Sequence, residues 1–110
     1  MSEAPKDGKH VEYVFYENGK KSLEAHFKNG KLDGLSTLWH ENGQKADEIP
    51  YKNGKTDGLW TQWHENGKKQ AERHRKDGKS DGLQTEWDEN GNKTVEIQFK
   101  DGAEVSRKEF

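Results

Sequence analysis

Apolar and polar residues alternate one for one along most of this 110-residue chain, and short polar turns interrupt the alternation at fixed intervals. Such a pattern marks β-strands with two unlike faces, because successive side chains of a strand point to opposite sides. The segments Leu35-Ser36-Thr37-Leu38-Trp39-His40 and Lys45-Ala46-Asp47-Glu48-Ile49-Pro50-Tyr51 are of this kind. Glu41-Asn42-Gly43 separates them, and Lys52-Asn53-Gly54-Lys55-Thr56-Asp57-Gly58 follows. Asn-Gly and Asp-Gly accept the positive φ of tight turns, so these stretches predict hairpins. Each segment is too short for a helix and ends at glycine.

The order recurs every 24 residues: Glu-Asn-Gly begins at Glu17, Glu41, Glu65 and Glu89, and Lys-Asn/Asp-Gly at Lys28, Lys52, Lys76 and Lys100. Asp-Gly begins at Asp33, Asp57 and Asp81, and Trp stands at Trp39, Trp63 and Trp87. A strict period of this length predicts one supersecondary unit stacked on copies of itself. The fold expected is all-β: a single-layer antiparallel β-meander of successive hairpin repeats with roughly eight or nine strands, elongated and twisted. A polar arm is expected over residues 1–10. The repeat sheet follows over 11–102, in registers starting near 11, 35, 59 and 83, and 103–110 form a tail or short last strand.

Parity sharpens the expectation. The large apolar residues are nearly all odd-numbered, and among them Phe15, Phe27, Trp39, Tyr51, Trp63, Trp87 and Phe99 form an aromatic row. They share one face only if every connection preserves parity. A three-residue Glu-Asn-Gly loop with a glycine bulge does so, pairing Trp39 with Lys45 and His40 with Gln44. The even face is then polar, with Glu12, Glu24, Glu48, Glu72 and Glu96 in one register and all five histidines on it. Lys21, Lys45, Lys69 and Lys93 recur beside the hairpins, and weak surface ion pairs are expected. Nothing in the sequence supplies a second layer for the aromatic row. Sheet twist must shield it, or a second copy or another protein must cover it.

Composition adds limits. Apolar content is 26% and charged content 36%, a balance that elsewhere means disorder, but four Trp, three Tyr and four Phe at regular intervals argue for a fold. Net charge is −2 with no basic stripe, so no nucleic-acid partner is expected. There is no cysteine to form disulfides or thiolate metal sites. No apolar run approaches the roughly 20 residues of a membrane span, and Met1 to Lys9 lack a signal-peptide core, which points to the cytoplasm. His40 and His64 would stand two strands apart, about 9.5 Å, too far for one metal ion. The carboxylates are periodic and no serine has a nucleophile-elbow context. The expectation is a non-enzyme with no cofactor and no metal.

Breaks in the repeat carry more. Trp60 stands where the other registers have Ser36 and Gln84, and Arg73 and Arg75 replace residues of the Ile49 and Tyr51 type. Asp47 replaces a residue of the Leu23 type. Arg73 could form a diagonal ion pair with Asp47, or the arginines could receive an acidic partner. Tyr16, Leu38, His40, Trp60, His64, Arg73 and Arg75 are the partner-binding candidates, since aromatic side chains on a rigid sheet are typical interface anchors.

The stretch from Tyr51 to Gly58, read as aromatic-Lys-Asn-Gly-Lys-x-x-Gly, and the hairpin Trp39-His40-Glu41-Asn42-Gly43 resemble the MORN repeat, in the variant form common in bacterial proteins. The resemblance covers roughly residues 11 to 102. It implies binding of another protein, and more narrowly an antitoxin or immunity role. The chain departs from the conventional motif where Glu48-Ile49-Pro50-Tyr51 replaces a glycine-containing strand, which weakens the transfer of the lipid binding proposed for some conventional members. A self-associating scaffold is the alternative, with peripheral lipid binding behind it.

Overall fold

The structure, a computed structural model, describes residues 8–110. It is all strand: β1 (Lys9–Phe15), β2 (Lys21–Lys28), β3 (Lys31–Leu32), β4 (Gly34–Trp39), β5 (Lys45–Lys52), β6 (Lys55–Thr56), β7 (Gly58–Trp63), β8 (Lys69–Lys76), β9 (Lys79–Ser80), β10 (Gly82–Trp87), β11 (Lys93–Lys100) and β12 (Ala103–Glu109). They form one open antiparallel sheet whose main path runs β1-β2-β4-β5-β7-β8-β10-β11-β12, while β3, β6 and β9 pair only with β2, β5 and β8. The sheet measures 54 × 35 × 14 Å. Two stacked sheets already place their backbones about 10 Å apart, so a thickness of 14 Å is one layer with its side chains. Of the arm expected over residues 1–10, residues 1–7 lie outside the described residues, and Lys9 and His10 belong to β1.

Two kinds of connection alternate along the two rims. At Glu-Asn-Gly the loop is the three-residue one: His40 N–H donates to the Gln44 carbonyl at 2.8 Å, Gly43 N–H donates to the His40 carbonyl at 2.9 Å, and Gly43 has φ 90°. Trp39 is opposite Lys45, as the loop length requires. One residue further in, the register slips, and Leu38 faces Asp47, so Ala46 is extra on its strand. Ser22, Gln70 and Thr94 are the corresponding extra residues of the other registers.

At Lys-Asn-Gly the turn has only two residues. Asn53 and Gly54 have φ 51° and 84°, both left-handed, and Lys52 pairs with Lys55. Positive φ at both central residues defines the hairpin turn whose twist matches the strands, and asparagine tolerates that conformation better than other side chains.

Each of these connections reverses parity, the first through its bulge and the second through its two-residue turn. The expectation that all odd residues share a face is therefore corrected. Opposed residues of an antiparallel pair share a face, so Leu23, Leu38, Asp47, Gln62, Ala71, Glu86 and Val95 lie on one side, partner to partner. By alternation that face also holds Phe27, Tyr51 and Phe99, whereas Phe15, Trp39, Trp63 and Trp87 lie on the other. The single aromatic row is thus two rows on opposite faces. Two reversals within an even period still return every repeat to the same orientation.

Burial is modest and follows the sheet's centre line. Ala25, Ile49, Ala71, Val95 and Ile97 are the buried apolar residues, all on the face of Tyr51, which we call the first face. On the second face Thr37, Thr61 and Thr85 are buried. Small or β-branched residues fit here because their neighbours on adjacent strands must cover them without a second layer.

Removing Ala46 should test the bulge. The deletion forces β5 to turn Ile49 toward the wrong face or to break its loop, and a slip of one residue misplaces the whole strand. We expect a loss of more than about 2 kcal/mol in urea unfolding, against at most about 0.5 kcal/mol for Ala46→Ser. Equal effects of the two changes would contradict the role given to the extra residue.

Candidate functional site

The rims are held from repeat to repeat. The Nε2 of His40 donates to the carbonyl of Trp63 at 2.9 Å, and that of His64 to the carbonyl of Trp87 at 2.9 Å. Tyr16 donates its hydroxyl to the Trp39 carbonyl in the same way. Asn42 does two things: its Oδ1 accepts from Gln44 N–H at 2.9 Å, and its Nδ2 donates to the Glu65 carbonyl of the next loop at 2.8 Å. Asn18 and Asn66 repeat this. At the last loop Asp88 occupies the histidine position and caps its own turn, accepting from the N–H groups of Asn90 and Asn92 at 2.9 and 3.0 Å. Those bonds, the one from Asn92 foremost, hold its carboxyl below the usual aspartate range. Tyr16, His40 and His64 are accordingly half-buried and occupied in joining repeats.

The second face is a regular lattice. Trp39, Trp63 and Trp87 alternate along one row with Lys45, Lys69 and Lys93. The bulge brings each lysine onto the same face as the glutamate three residues on. Lys21–Glu24, Lys45–Glu48, Lys69–Glu72 and Lys93–Glu96 lie at 3.1, 3.1, 3.0 and 3.5 Å. These are exposed pairs, each contributing a few tenths of a kcal/mol. Glu24 also meets His26 Nε2 at 3.1 Å, and that hydrogen bond, with Lys21 behind it, lowers its carboxyl below the ordinary glutamate value. Leu35, Leu59 and Leu83 form a further row, exposed at 44, 45 and 40%.

The histidines and glutamates do not all share one side as expected. Glu12 and His10 lie on the first face, with His10 against Phe27 at a ring separation of 6.1 Å. His26 and His74 lie on the second. Among the described residues no group of three or more His, Asp or Glu side chains is placed to hold a metal ion.

The first face is where the lattice breaks. Trp60 is directly opposite Arg73, on the same side as Asp47, Gln62 and Arg75. Placing Trp60 on a separate outer face from the arginines is therefore corrected, for the parity reason given above. Trp60 Nε1 donates to Asp47 Oδ2 at 2.9 Å. The guanidinium carbons of Arg73 and Arg75 stand 5.4 and 5.9 Å from the Trp60 ring centroid, within cation–π range. Arg73 Nη1 donates to Gln62 Oε1. Arg75 donates to Thr56 Oγ1 at 3.2 Å, Ser80 Oγ at 2.7 Å and the Gly78 carbonyl at 2.8 Å. The diagonal Arg73–Asp47 ion pair is not formed; Asp47 accepts from the indole. Leu38 stands beside this cluster, opposite Asp47.

Sequence reading singled out the substituted residues but missed how they meet, because their convergence depends on the bulge. It also missed the bridging asparagines, for which the recurrence of Asn at Asn18, Asn42, Asn66 and Asn90 was the available signal.

The geometry defines a class of protein: a one-layer β-hairpin repeat sheet held by ladders along both rims. The MORN repeat variant model matches four times, at residues 7–29, 32–53, 56–77 and 80–101, and the chain belongs to that family. No curated protein matches the chain in sequence. MORN repeats are generally protein- or lipid-binding modules, and the family is typically non-catalytic. No helix among the described residues is long and apolar enough to cross a membrane.

The lowered carboxyl of Glu24 gives a pH test. A depressed folded value means that its contribution to stability is present above the ordinary glutamate pKa of 4.5 and is lost as pH falls through the lowered value. Glu24→Gln should flatten the acid side of a stability-versus-pH curve and leave its shape near pH 7 unchanged. An acid limb identical to that of the unaltered protein would contradict the assignment.

Proposed function

We propose that the protein is a binding module for another protein, and that the first face around Trp60, Arg73 and Arg75 makes the contact. The observation that carries this reading is the confinement of the aromatic and arginine substitutions to one place on an otherwise repetitive sheet. Trp and Arg are the residues that most often dominate interface energetics, and Leu38 lies at the border of the same patch. Tyr16, His40 and His64 join repeats and contribute through the shape of the rim. The finer form, a bacterial cytoplasmic antitoxin or immunity protein that neutralises a toxin or effector by binding, rests on the resemblance of the repeats alone. Lipid binding through the hairpin lysines is disfavoured by the glutamate that each of Lys21, Lys45, Lys69 and Lys93 holds.

A second reading has its own observation. Among the described residues the outer strands β1 and β12 leave open edges, beside which Phe15 is 56% and Val105 63% exposed. Open edges with apolar residues favour pairing with a second copy. Light scattering over a range of concentrations tests it, and a concentration-independent monomer removes it.

For the main reading, the bait is the full chain used to capture partners from its source, with Trp60→Ala and Trp63→Ala as parallel baits. The two residues lie on opposite faces. A stoichiometric partner lost at least tenfold with Trp60→Ala and retained with Trp63→Ala supports the reading. Retention by both variants overturns the choice of surface.

A further inference from the structure

We infer that the Trp60–Arg73–Arg75 cluster receives an extended acidic peptide segment with carboxylates at alternate positions. The inference deepens the protein-binding reading and rests on it.

Charge comes first. Among the described residues neither arginine has a carboxylate oxygen within 4.0 Å, although Lys21, Lys45, Lys69, Lys93 and Arg107 each do. The acidic groups on that face nearest in register are already engaged: Asp47 accepts from the Trp60 indole, and Glu86 accepts from Gln84 Nε2 at 2.9 Å. Two adjacent cations with no directly paired carboxylate leave room for one. They stand at the repeat's break, where other registers carry Ile49 and Ile97, Tyr51 and Phe99.

Geometry then selects the form of the ligand. Arg73 and Arg75 are two residues apart on β8 with their side chains on one face, which separates their Cα atoms by about 6.7 Å. An extended peptide places the side chains of residues i and i+2 on one side at the same spacing. Carboxylates at those two positions therefore meet the two guanidinium groups together. The planar guanidinium of Arg73 can grip its carboxylate through two parallel N–H donors, and Arg75 meets the other with the N–H groups left on its two Nη atoms.

The site is also held ready. Arg75 is fixed by Thr56, Ser80 and the Gly78 carbonyl, and Arg73 by Gln62, and both are drawn to one indole. None of these partners is charged, so the positive charge is fixed without being neutralised. Arg73 keeps most of its N–H donors free for a ligand. A lone phosphate would satisfy one guanidinium, but it cannot reproduce the two-point spacing.

The test is fluorescence anisotropy with labelled octapeptides of alternating glutamate and threonine, of alternating glutamine and threonine, and of blocked glutamate-then-threonine with the same charge. We expect the alternating glutamate peptide to bind at least tenfold more tightly than the glutamine peptide and severalfold more tightly than the blocked one. R73Q/R75Q should lose that preference, R73K/R75K should recover only part of it, and Arg107→Gln should keep it. Circular dichroism of each variant checks that the sheet is intact. Equal binding of the alternating and glutamine peptides, or an unchanged preference in folded R73Q/R75Q, overturns the inference. No discrimination between alternating and blocked glutamate overturns the two-point geometry and leaves only charge. If the peptides do not discriminate but Trp60→Ala still abolishes partner capture, the inference falls and the protein-binding reading stands. If Trp60→Ala has no effect on capture, the reading itself falls.

Discussion

One extra residue per hairpin decides which side chains can meet. The Glu-Asn-Gly loop needs a left-handed glycine to close, and Gly43 at φ 90° supplies it at low cost. Closed that way, the loop alone would pair its two strands in phase and put Trp39 on the same side as Ile49 and Tyr51. Ala46 and its counterparts Ser22, Gln70 and Thr94 undo that phase. The apolar load is then divided, with Ile49, Tyr51 and Phe99 facing one way and Trp39, Trp63 and Trp87 the other. A single aromatic face would have demanded a covering layer. Divided, the same residues shelter among the stems of lysines and the methyl groups of threonines, as a free-standing sheet requires.

Such a sheet cannot draw on a large core. Its buried side chains are few and small or β-branched, Ala25, Ile49 and Thr61 among them. The rims supply the remaining cohesion. Each loop donates forward to the backbone of the next through a histidine or tyrosine and through an asparagine. On the opposite rim Gly54, Gly78 and Gly102 N–H groups donate back to the carbonyls of Leu32, Thr56 and Ser80. These bonds tie nearest neighbours only, the arrangement expected of a quasi-one-dimensional protein.

The fold class, the period and both turn sites were legible in the sequence, because Asn-Gly and alternating apolar residues have few other uses. Loop closure was legible too: Trp39 does face Lys45. The bulge was not. An extra alanine inside a strand has no composition of its own, and its effect appears only in the register one pair further on. The pairing within each Glu-Asn-Gly hairpin depended on that step, so Trp60 and Arg73 were placed apart although they are direct partners. The identity of the unusual residues could be read; their convergence could not. Asn42 is a like case, since its turn role is local but its second bond reaches a loop distant in sequence.

The division of faces is the claim on which the assignment of the binding surface stands, and side-chain proton contacts by nuclear magnetic resonance measure it directly. The account predicts cross-peaks from the Trp60 indole to the Arg73 and Arg75 side chains, and contacts of Trp63 with Lys45 and Lys69 side chains on the other face. Contacts linking the Trp63 ring to Tyr51 and Arg75 instead would show that the odd residues share one face, and would contradict it.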